Sequence, residues 1–145
     1  MRLFIGALIV IIVIGVLVLS KYNTRIELID IDAVTSIEME QINERNSVGI
    51  VVINNQSDIA ALLIHLSSAR KTSLTWYAAS NDNPTQSDYL AIRIAAEREG
   101  QSLYLYTYGN REYVYNPYIS IYRIKNETSK EIYQLYTSAK ERKGN

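Results

Sequence analysis

The chain has no cysteine, two prolines, one phenylalanine and one histidine among its 145 residues. Without cysteine it has no disulfide framework, no thiolate metal site, no cysteine nucleophile and no site for a lipid-modified cysteine. Basic and acidic residues balance at 15 each, and a zero formal net charge argues against bulk nucleic-acid binding. These absences exclude several classes of enzyme and of nucleic-acid-binding protein.

The chain also lacks the usual patterns of catalytic and cofactor sites, including a glycine-rich phosphate loop and a Gly-x-Ser-x-Gly motif. His65 is the one conventional general base near neutral pH, and its helical neighbours three and four residues away include no carboxylate. The acid pairs Asp30/Asp32 and Glu38/Glu40 are interpreted as solvated strand edges, because no calcium-binding spacing surrounds them. We therefore predict no enzyme activity, no cofactor and no metal site.

One long apolar run stands near the N-terminus. Leu3–Leu19 gives 17 residues without a charge, near the lower limit for a helix that crosses about 30 Å of hydrocarbon. A cleaved signal peptide is the alternative, although the run is long for one and no small-x-small cleavage site follows it. We predict an uncleaved transmembrane signal-anchor at residues 1–21. A span preceded only by Arg2 favours a single-pass membrane protein whose domain lies outside the cytoplasm.

The rest of the chain has the length of one domain, predicted over residues 22–139 with a charged, frayed tail at 140–145. Arg25–Asp32 and Thr35–Gln41 are short β-like runs. Val48–Ile53 is a nearly continuous apolar run, which is typical of a central strand.

An amphipathic helix of roughly 14 residues follows, with Ser57 as its predicted N-cap and apolar residues at three- and four-residue spacing. Ser73–Ser87 is polar and is interpreted as a long loop with a short strand at Leu74–Tyr77. A weaker helix over Thr128–Ala139 closes the domain.

Four further strands are predicted between these helices, the last of them short: Tyr89–Ala96, Leu103–Tyr108, Glu112–Asn116 and Ile119–Ile124. Helices do not alternate with strands, so a doubly wound parallel sheet is disfavoured. We predict an α+β fold with an antiparallel sheet of five to six strands and two helices, in the order β-β-β-α-β-β-β-α. The short Ile119–Ile124 strand could add one more.

Tyrosine dominates the aromatic residues, with twelve Tyr against one Phe and one Trp, and seven of the twelve lie between residues 104 and 122. A two-residue turn at Gly109-Asn110 would place the hairpin tyrosines on one face of the sheet, with Arg93 of the neighbouring strand. The opposite face would be apolar, formed by Leu90, Ile92, Ile94, Leu103, Leu105 and Val114. The tyrosine face comprises Tyr89, Tyr104, Tyr106, Tyr108, Tyr113 and Tyr115.

Two interpretations of this face stay open. Tyrosine forms strands well, and cross-strand aromatic pairs stabilise hairpins by roughly 0.2–1 kcal/mol each. Tyrosine also offers rigid contact area with a hydroxyl, which suits a surface that binds sugars, peptides or proteins. The predicted ligand-binding residues are Tyr104, Tyr106, Tyr108, Tyr113, Tyr115, Arg93 and Trp76.

The segment Asn116–Ile124, NPYISIYRI, carries a resemblance. Together with the N-terminal apolar run, the helix start near Ser57 and the tyrosine hairpin, it resembles small uncharacterised membrane-anchored or lipoprotein domains of Gram-positive bacteria, known as domains of unknown function. The chain has Ser120 where that family often has Gly, and it lacks the lipid-bearing cysteine. The resemblance implies an extracytoplasmic domain and no catalytic residues.

Two functions of different class fit these observations. The first is a single-pass anchored, non-enzymatic binding or sensing module that contacts an unidentified protein or cell-envelope ligand through its tyrosine face. The second is a structural or accessory subunit of a larger membrane complex. A secreted domain, released by signal-peptide cleavage, is a further alternative.

Overall fold

The computed structural model describes residues 24–73 and 82–144. The strands in these ranges are β1 (Val34–Asn43), β2 (Asn46–Ile53), β3 (Arg70–Lys71), β4 (Tyr89–Ala96), β5 (Gly100–Tyr108), β6 (Arg111–Asn116) and β7 (Ser120–Ile124). The helices are α1 (Gln56–Ser67) and α2 (Asn126–Gly144), and a single 3-10 turn precedes β1 at Ile31–Ala33. The strands form one antiparallel sheet in the order β2-β1-β4-β5-β6-β7-β3.

The predicted α+β class, with an antiparallel sheet and two helices, is confirmed. The predicted number of five to six strands is wrong, because the described residues form seven. The observed order is β-β-α-β-β-β-β-β-α, since β3 follows α1 directly and the short strand near Ile119 is a full member of the sheet.

Arg25–Asp32 is not the first strand of the domain, and a side chain explains why. The Gln101 side-chain amide donates to the Glu27 carbonyl at 2.9 Å and accepts from the Ile29 N–H at 3.3 Å. Asp30 then accepts from the Asp32 N–H at 3.2 Å and caps the 3-10 turn. The segment therefore satisfies part of its backbone hydrogen bonding through a side chain instead of a ladder.

The apolar run at Val48–Ile53 does not form a central strand, because β2 lies at one edge of the sheet. Val51 and Ile53 enter the core, whereas Val48, Ile50 and Val52 are 45%, 43% and 50% exposed. Pattern alone cannot separate a strand covered on both faces from an edge strand with an apolar outer face.

Both predicted helices exist, with different ends. Asn55 caps α1 by accepting from the Asp58 N–H at 2.8 Å, two residues before the predicted cap Ser57. Residues 140–144, predicted as a frayed tail, continue α2, and Arg142 there pairs with Asp58 of α1.

The main core lies between the two helices and one face of the sheet. Its helical members include Ile59, Leu62, Leu66, Ile132 and Tyr136, and all six residues of the predicted apolar face belong to it. Each of those six is 2% exposed or less. The alternation of β4, β5 and β6 therefore identifies the core side of the sheet correctly.

The turn between β1 and β2 places two residues with side chains in the left-handed region, Glu44 at φ 49° and Arg45 at φ 65°. Two-residue hairpin turns of this kind strongly prefer Asn-Gly. The Glu44 N–H donates to the Asp88 carboxylate at 2.7 Å, and the Arg45 N–H donates to the Ser87 carbonyl at 3.0 Å. These bonds hold the strained turn against the segment that enters β4.

Replacing Glu44 with Asn and Arg45 with Gly together should raise the free energy of unfolding by about 1 kcal/mol, because the left-handed backbone strain is relieved. Both backbone N–H donors remain in this variant. Urea unfolding of the full chain measures the change, and the Glu44→Ala, Arg45→Ala double variant is the control that keeps the strain. Equal stability of the two variants would show that the turn stores no strain.

Three predictions fall outside the described residues: the membrane span at Leu3–Leu19, the short strand at Leu74–Tyr77, and Trp76. Within residues 24–73 and 82–144, no helix has the length and apolar character needed to cross a membrane.

Candidate binding face

The β5–β6 hairpin has the register that the sequence predicts. Of its two turn residues only Gly109 has a positive φ, at 63°, as in a turn that needs glycine first. Tyr104 pairs with Tyr115, and Tyr106 pairs with Tyr113. Opposed residues of an antiparallel pair point to the same side, so these tyrosines share one face of the sheet.

The side of the sheet opposite α1 and α2 is called the open face here, and no helix of the described residues packs on it. The strand registers place alternate residues of each strand on it. Its members include Val48, Ile50 and Val52 of β2, Glu38 and Glu40 of β1, Tyr89 and Arg93 of β4, Tyr104, Tyr106 and Tyr108 of β5, Tyr113 and Tyr115 of β6, Ile121 and Arg123 of β7, and Arg70 of β3.

Burial divides the tyrosines of the open face into two groups. Tyr106 and Tyr115 are 5% and 1% exposed and form a small second core with Ile121. Tyr89, Tyr104 and Tyr113 are half-buried against that cluster, whereas Tyr108 is 68% exposed. Burial therefore supports the structural interpretation for Tyr106 and Tyr115, and the binding interpretation stays a prediction for the other tyrosines. The buried pair is structural, and the accessible contact area belongs to the other tyrosines.

The rings pack closely enough to hold one another in place. Tyr106 and Tyr113 stack with centroids 5.7 Å apart, and Tyr89 meets Tyr104 edge-on at 5.6 Å. Pairs at these separations contribute about 0.5–1.5 kcal/mol beyond their buried area. The exposed parts of the half-buried rings are thus presented by a rigid support, which lowers the entropy cost of binding.

Arg93 lies on the open face, as predicted, and two carboxylates hold it. Its guanidinium contacts Glu38 at 2.5 Å and Glu40 at 2.7 Å. Burial raises the pKa of the Tyr104 phenol, and the positive charge of Arg93 opposes that rise, so the guanidinium field reaches the tyrosine cluster. The acid pair Glu38/Glu40 is therefore an anchor for Arg93 within the sheet.

Glu40 and Asp58 should make the protein less stable in acid. A hydrogen bond with Ser47, and then one with Arg93, lower the pKa of Glu40 from its ordinary 4.5. Asn55 and Arg142 do the same for Asp58 from 3.8. A lowered folded-state pKa gives stability that is complete above the unfolded value and is lost as the pH falls through the folded value.

We therefore expect the free energy of unfolding to fall as the pH drops below about 4.5, and we expect Glu40→Gln to flatten that fall. Urea titrations between pH 3 and pH 7 measure the slope. Glu97→Gln is the control, because no ion pair involves Glu97 in the described part of the chain. The same slope in both variants would contradict a role for Glu40.

Sequence reasoning missed two exposed residues at the β6–β7 turn. Tyr118 is 59% exposed with φ 61°, and Ile119 is 53% exposed. The Tyr118 hydroxyl donates to the Asp82 carboxylate, and this bond raises the pKa of the phenol. Pro117 is the signal that could have located this turn, because proline is common in turns and cannot donate to a strand ladder.

A family model described as "Domain of unknown function (DUF5300)" matches residues 22–123. The chain belongs to this family, whose model is named DUF5301. The resemblance to an uncharacterised domain family is confirmed in this respect. The matched segment includes strands β1 to β6 and most of β7, so every predicted binding residue lies inside the family domain.

A solved structure gives independent support for the fold. The NMR structure of a protein from Ruminococcus gnavus is 22% identical, with a TM-score of 0.57, and covers 70% of this chain and 93% of that one. At this identity the likeness shows the shared fold alone. No curated protein matches the chain.

The DUF5301 domain keeps its single histidine away from the open face. His65 Nδ1 lies 3.2 Å from a Glu131 carboxylate oxygen, a contact between α1 and α2. Glu131 lies on α2, whereas His65 lies on α1. A comparison of His65 with neighbours on its own helix therefore does not reveal this pair. Across residues 24–73 and 82–144, no three or more His, Asp or Glu side chains converge as metal ligands.

Sequence reasoning also missed a group of cations at the β3 end of the open face. Arg70 pairs with Arg123 across β3 and β7, and Arg25 makes an isolated bridge with Arg70. Arg111 at the start of β6 and Lys125 after β7 line the same cleft. All five are exposed. Residues so far apart in sequence give no charge run, so only the sheet order reveals the group.

Proposed function

We propose that this DUF5301 protein is a membrane-anchored, non-enzymatic binding or sensing module that contacts its ligand through the open face of the sheet. The observation that carries the proposal is a face on which no helix of residues 24–73 and 82–144 packs, with tyrosines that range from buried support to the 68% exposed Tyr108. Rigid aromatic rings with hydroxyls at the surface suit recognition more than catalysis.

The anchor and the extracytoplasmic location belong to the proposal and rest on the run Leu3–Leu19. Since the chain has no cysteine, one introduced thiol reports its side of the membrane. Ile64 is 65% exposed on α1, on the side away from the open face. We expect Ile64→Cys in intact cells to react with a membrane-impermeant maleimide. Labelling only after lysis would place the domain in the cytoplasm, and loss of residues 1–21 from the intact mass would show cleavage.

The contact surface is tested with variants that spare the buried tyrosines. Tyr108→Ser and Tyr113→Ser should weaken capture of soluble cell-wall fragments from a muramidase digest, at an unchanged melting temperature for Tyr108→Ser. Changing Tyr106 would be uninformative, because that side chain is 5% exposed and its loss disturbs packing. Unchanged capture by both variants would contradict a role for the tyrosines in binding envelope fragments.

An accessory subunit of a larger membrane complex is the second candidate, and the exposed edge strand β2 favours it. Val48, Ile50 and Val52 present an apolar strip on the strand that ends the sheet within the described residues, and an edge strand can accept a strand from another protein. Ile50→Lys should then release the protein from its complex in native gels, whereas Tyr108→Ser should not. Binding through the tyrosines of the open face predicts the opposite pair of results, because Ile50 lies on β2, two strands away from the nearest of these tyrosines.

A further inference from the structure

Five cations surround a shallow cleft of about 850 Å³ at the β3 end of the sheet, where the open face borders the end of α1 and the start of α2: Arg25, Arg70, Arg111, Arg123 and Lys125. Glu127 is the single acidic residue among the described residues that line it. A chain with zero formal net charge thus concentrates one third of its 15 basic residues at one place. Such a concentration creates a strong local positive potential.

The strand register sets three of these cations directly opposite one another. Arg25 bridges to Arg70, and Arg70 pairs with Arg123, so three arginines form a row across neighbouring segments of the sheet. Like charges in directly opposed positions destabilise a sheet. A bound anion would remove this repulsion.

None of the five cations is held by a carboxylate of the described residues, although Glu127 also lines the cleft. All fifteen acidic side chains lie within residues 24–73 and 82–144, and none of them forms an ion pair with any of the five cations. Arg93 and Arg142, in contrast, each contact carboxylates. Ser67 and Ser68 line the cleft, but their hydroxyls donate to carbonyls of α1.

The row of arginines also adjoins the tyrosines of β5 and β6. Arg123 pairs with Tyr113, which stacks on Tyr106, and Arg111 pairs with Tyr108. The first residues of α2, Asn126 and Glu127, line the cleft as well and bring the positive end of that helix to it. Cations and accessible aromatic rings therefore form one continuous surface.

We propose that this cleft binds a phosphate group, and that phosphate is the chemistry recognised by the open face. Four of the five cations are arginines, whose planar guanidinium matches phosphate oxygens with two parallel hydrogen bonds. The inference rests on the proposed function, because it names the ligand class of the same face. The phosphate belongs either to a soluble phosphoester or to a lipid headgroup.

The test uses the full chain in phosphatidylcholine nanodiscs, with inorganic pyrophosphate as the probe and isothermal titration at constant ionic strength. Arg70→Gln and Arg123→Gln should each weaken pyrophosphate binding by about tenfold or more. Arg98→Gln is the matched control, since Arg98 is exposed outside this cleft and has no ion pair within the described ranges. The pyrophosphate affinity of Arg98→Gln should stay within about twofold of that of the unmodified protein.

Stability without ligand separates binding from folding. Because removing one arginine relieves like-charge repulsion, Arg70→Gln should melt at or above the temperature of the unmodified protein when pyrophosphate is absent. No measurable pyrophosphate binding, or equal losses in Arg70→Gln and Arg98→Gln, would overturn the proposal. If the cleft cations instead only stabilise the free carbonyls at the C-terminal end of α1, Arg70→Gln would lower the melting temperature. Pyrophosphate would then leave the melting temperature of the unmodified protein unchanged.

Phosphatidylglycerol nanodiscs distinguish a lipid headgroup from a soluble phosphoester as the source of the phosphate. If the headgroup is the ligand, pyrophosphate should bind more weakly there than in phosphatidylcholine, and Arg123→Gln should abolish that difference. Equal pyrophosphate affinity in both discs, and in the detergent-solubilised full chain without phospholipid, assigns the cleft to a soluble phosphoester. Failure to bind pyrophosphate while Tyr108→Ser still weakens capture of cell-wall fragments would reject the phosphate inference alone, and the open-face function would stand.

Discussion

Tyr115→Ala should lower the free energy of unfolding by about 3–5 kcal/mol, the largest effect expected from any single tyrosine. Tyr115 is 1% exposed and packs with Tyr106 and Ile121 in the second core. Truncation to alanine would remove the whole buried ring and leave a cavity that the sheet backbone cannot close. Urea unfolding of the full chain measures the loss.

Tyr108→Ala is the matched control, on the same strand face and in the same hairpin. Because Tyr108 is 68% exposed, its loss should change the free energy of unfolding by less than about 0.5 kcal/mol. Similar effects from the two substitutions would contradict the division of the open face into a structural part and an accessible part.

Gly49→Ala should lower the free energy of unfolding by about 1–3 kcal/mol through overpacking. A Cβ at this position of β2 would lie 2.6 Å from the Tyr136 hydroxyl oxygen and 3.2 Å from Lys140 Nζ. Tyr136 is 3% exposed, so its ring has little space to move, and its hydroxyl donates to the Gly49 carbonyl at 3.1 Å. Glycine at this position lets α2 approach the sheet.

Gly100→Ala is the control for this prediction, because its Cβ would meet only the Ile94 carbonyl oxygen at 3.5 Å. A second check uses Tyr136→Phe, which removes the clashing oxygen and costs about 1 kcal/mol through the lost hydrogen bond. In that background Gly49→Ala should be less costly by about 1 kcal/mol than in the unmodified protein. Strict additivity would show that the Tyr136 hydroxyl is not what excludes a side chain at Gly49.

Local chemistry explains why the hairpin was predicted correctly. Gly109-Asn110 specifies a two-residue turn, and a two-residue turn fixes which residues oppose each other. Once Tyr104 faces Tyr115, alternation assigns every other residue of β5 and β6 to a face. The core side of the sheet therefore follows from sequence, as the burial of Leu103, Leu105 and Val114 confirms.

The order of strands in the sheet depends on contacts between segments far apart in the sequence. Most of the wrong predictions concern this order. An apolar strand such as β2 is compatible with a central or an edge position, because the sequence does not show which strands become its neighbours. Arg25–Asp32 has the composition of a strand, but the side chain of Gln101, more than seventy residues away, takes the Glu27 carbonyl and the Ile29 N–H. Tertiary contacts of this range override local preference.

The same limit applies to the candidate site. Alternation predicts that six tyrosines share a face, but it cannot predict that Tyr106 and Tyr115 are buried there. The row of arginines 25, 70 and 123 depends entirely on β3 joining the sheet beside β7. Two residues of strand at Arg70–Lys71 carry no detectable sequence signal, and they complete the basic cleft.

The most direct test of the central claim, that the open face is the contact surface, is the labelling rate of a thiol on that face in the cell. Tyr108→Cys and Ile64→Cys place single thiols at positions that are 68% and 65% exposed, on opposite sides of the sheet. A membrane-permeant maleimide makes the comparison independent of topology. We predict that the thiol at position 108 reacts several-fold more slowly in intact cells than in the purified protein, while the rate at position 64 is unchanged. Equal rates in cells and in purified protein at position 108 would contradict it.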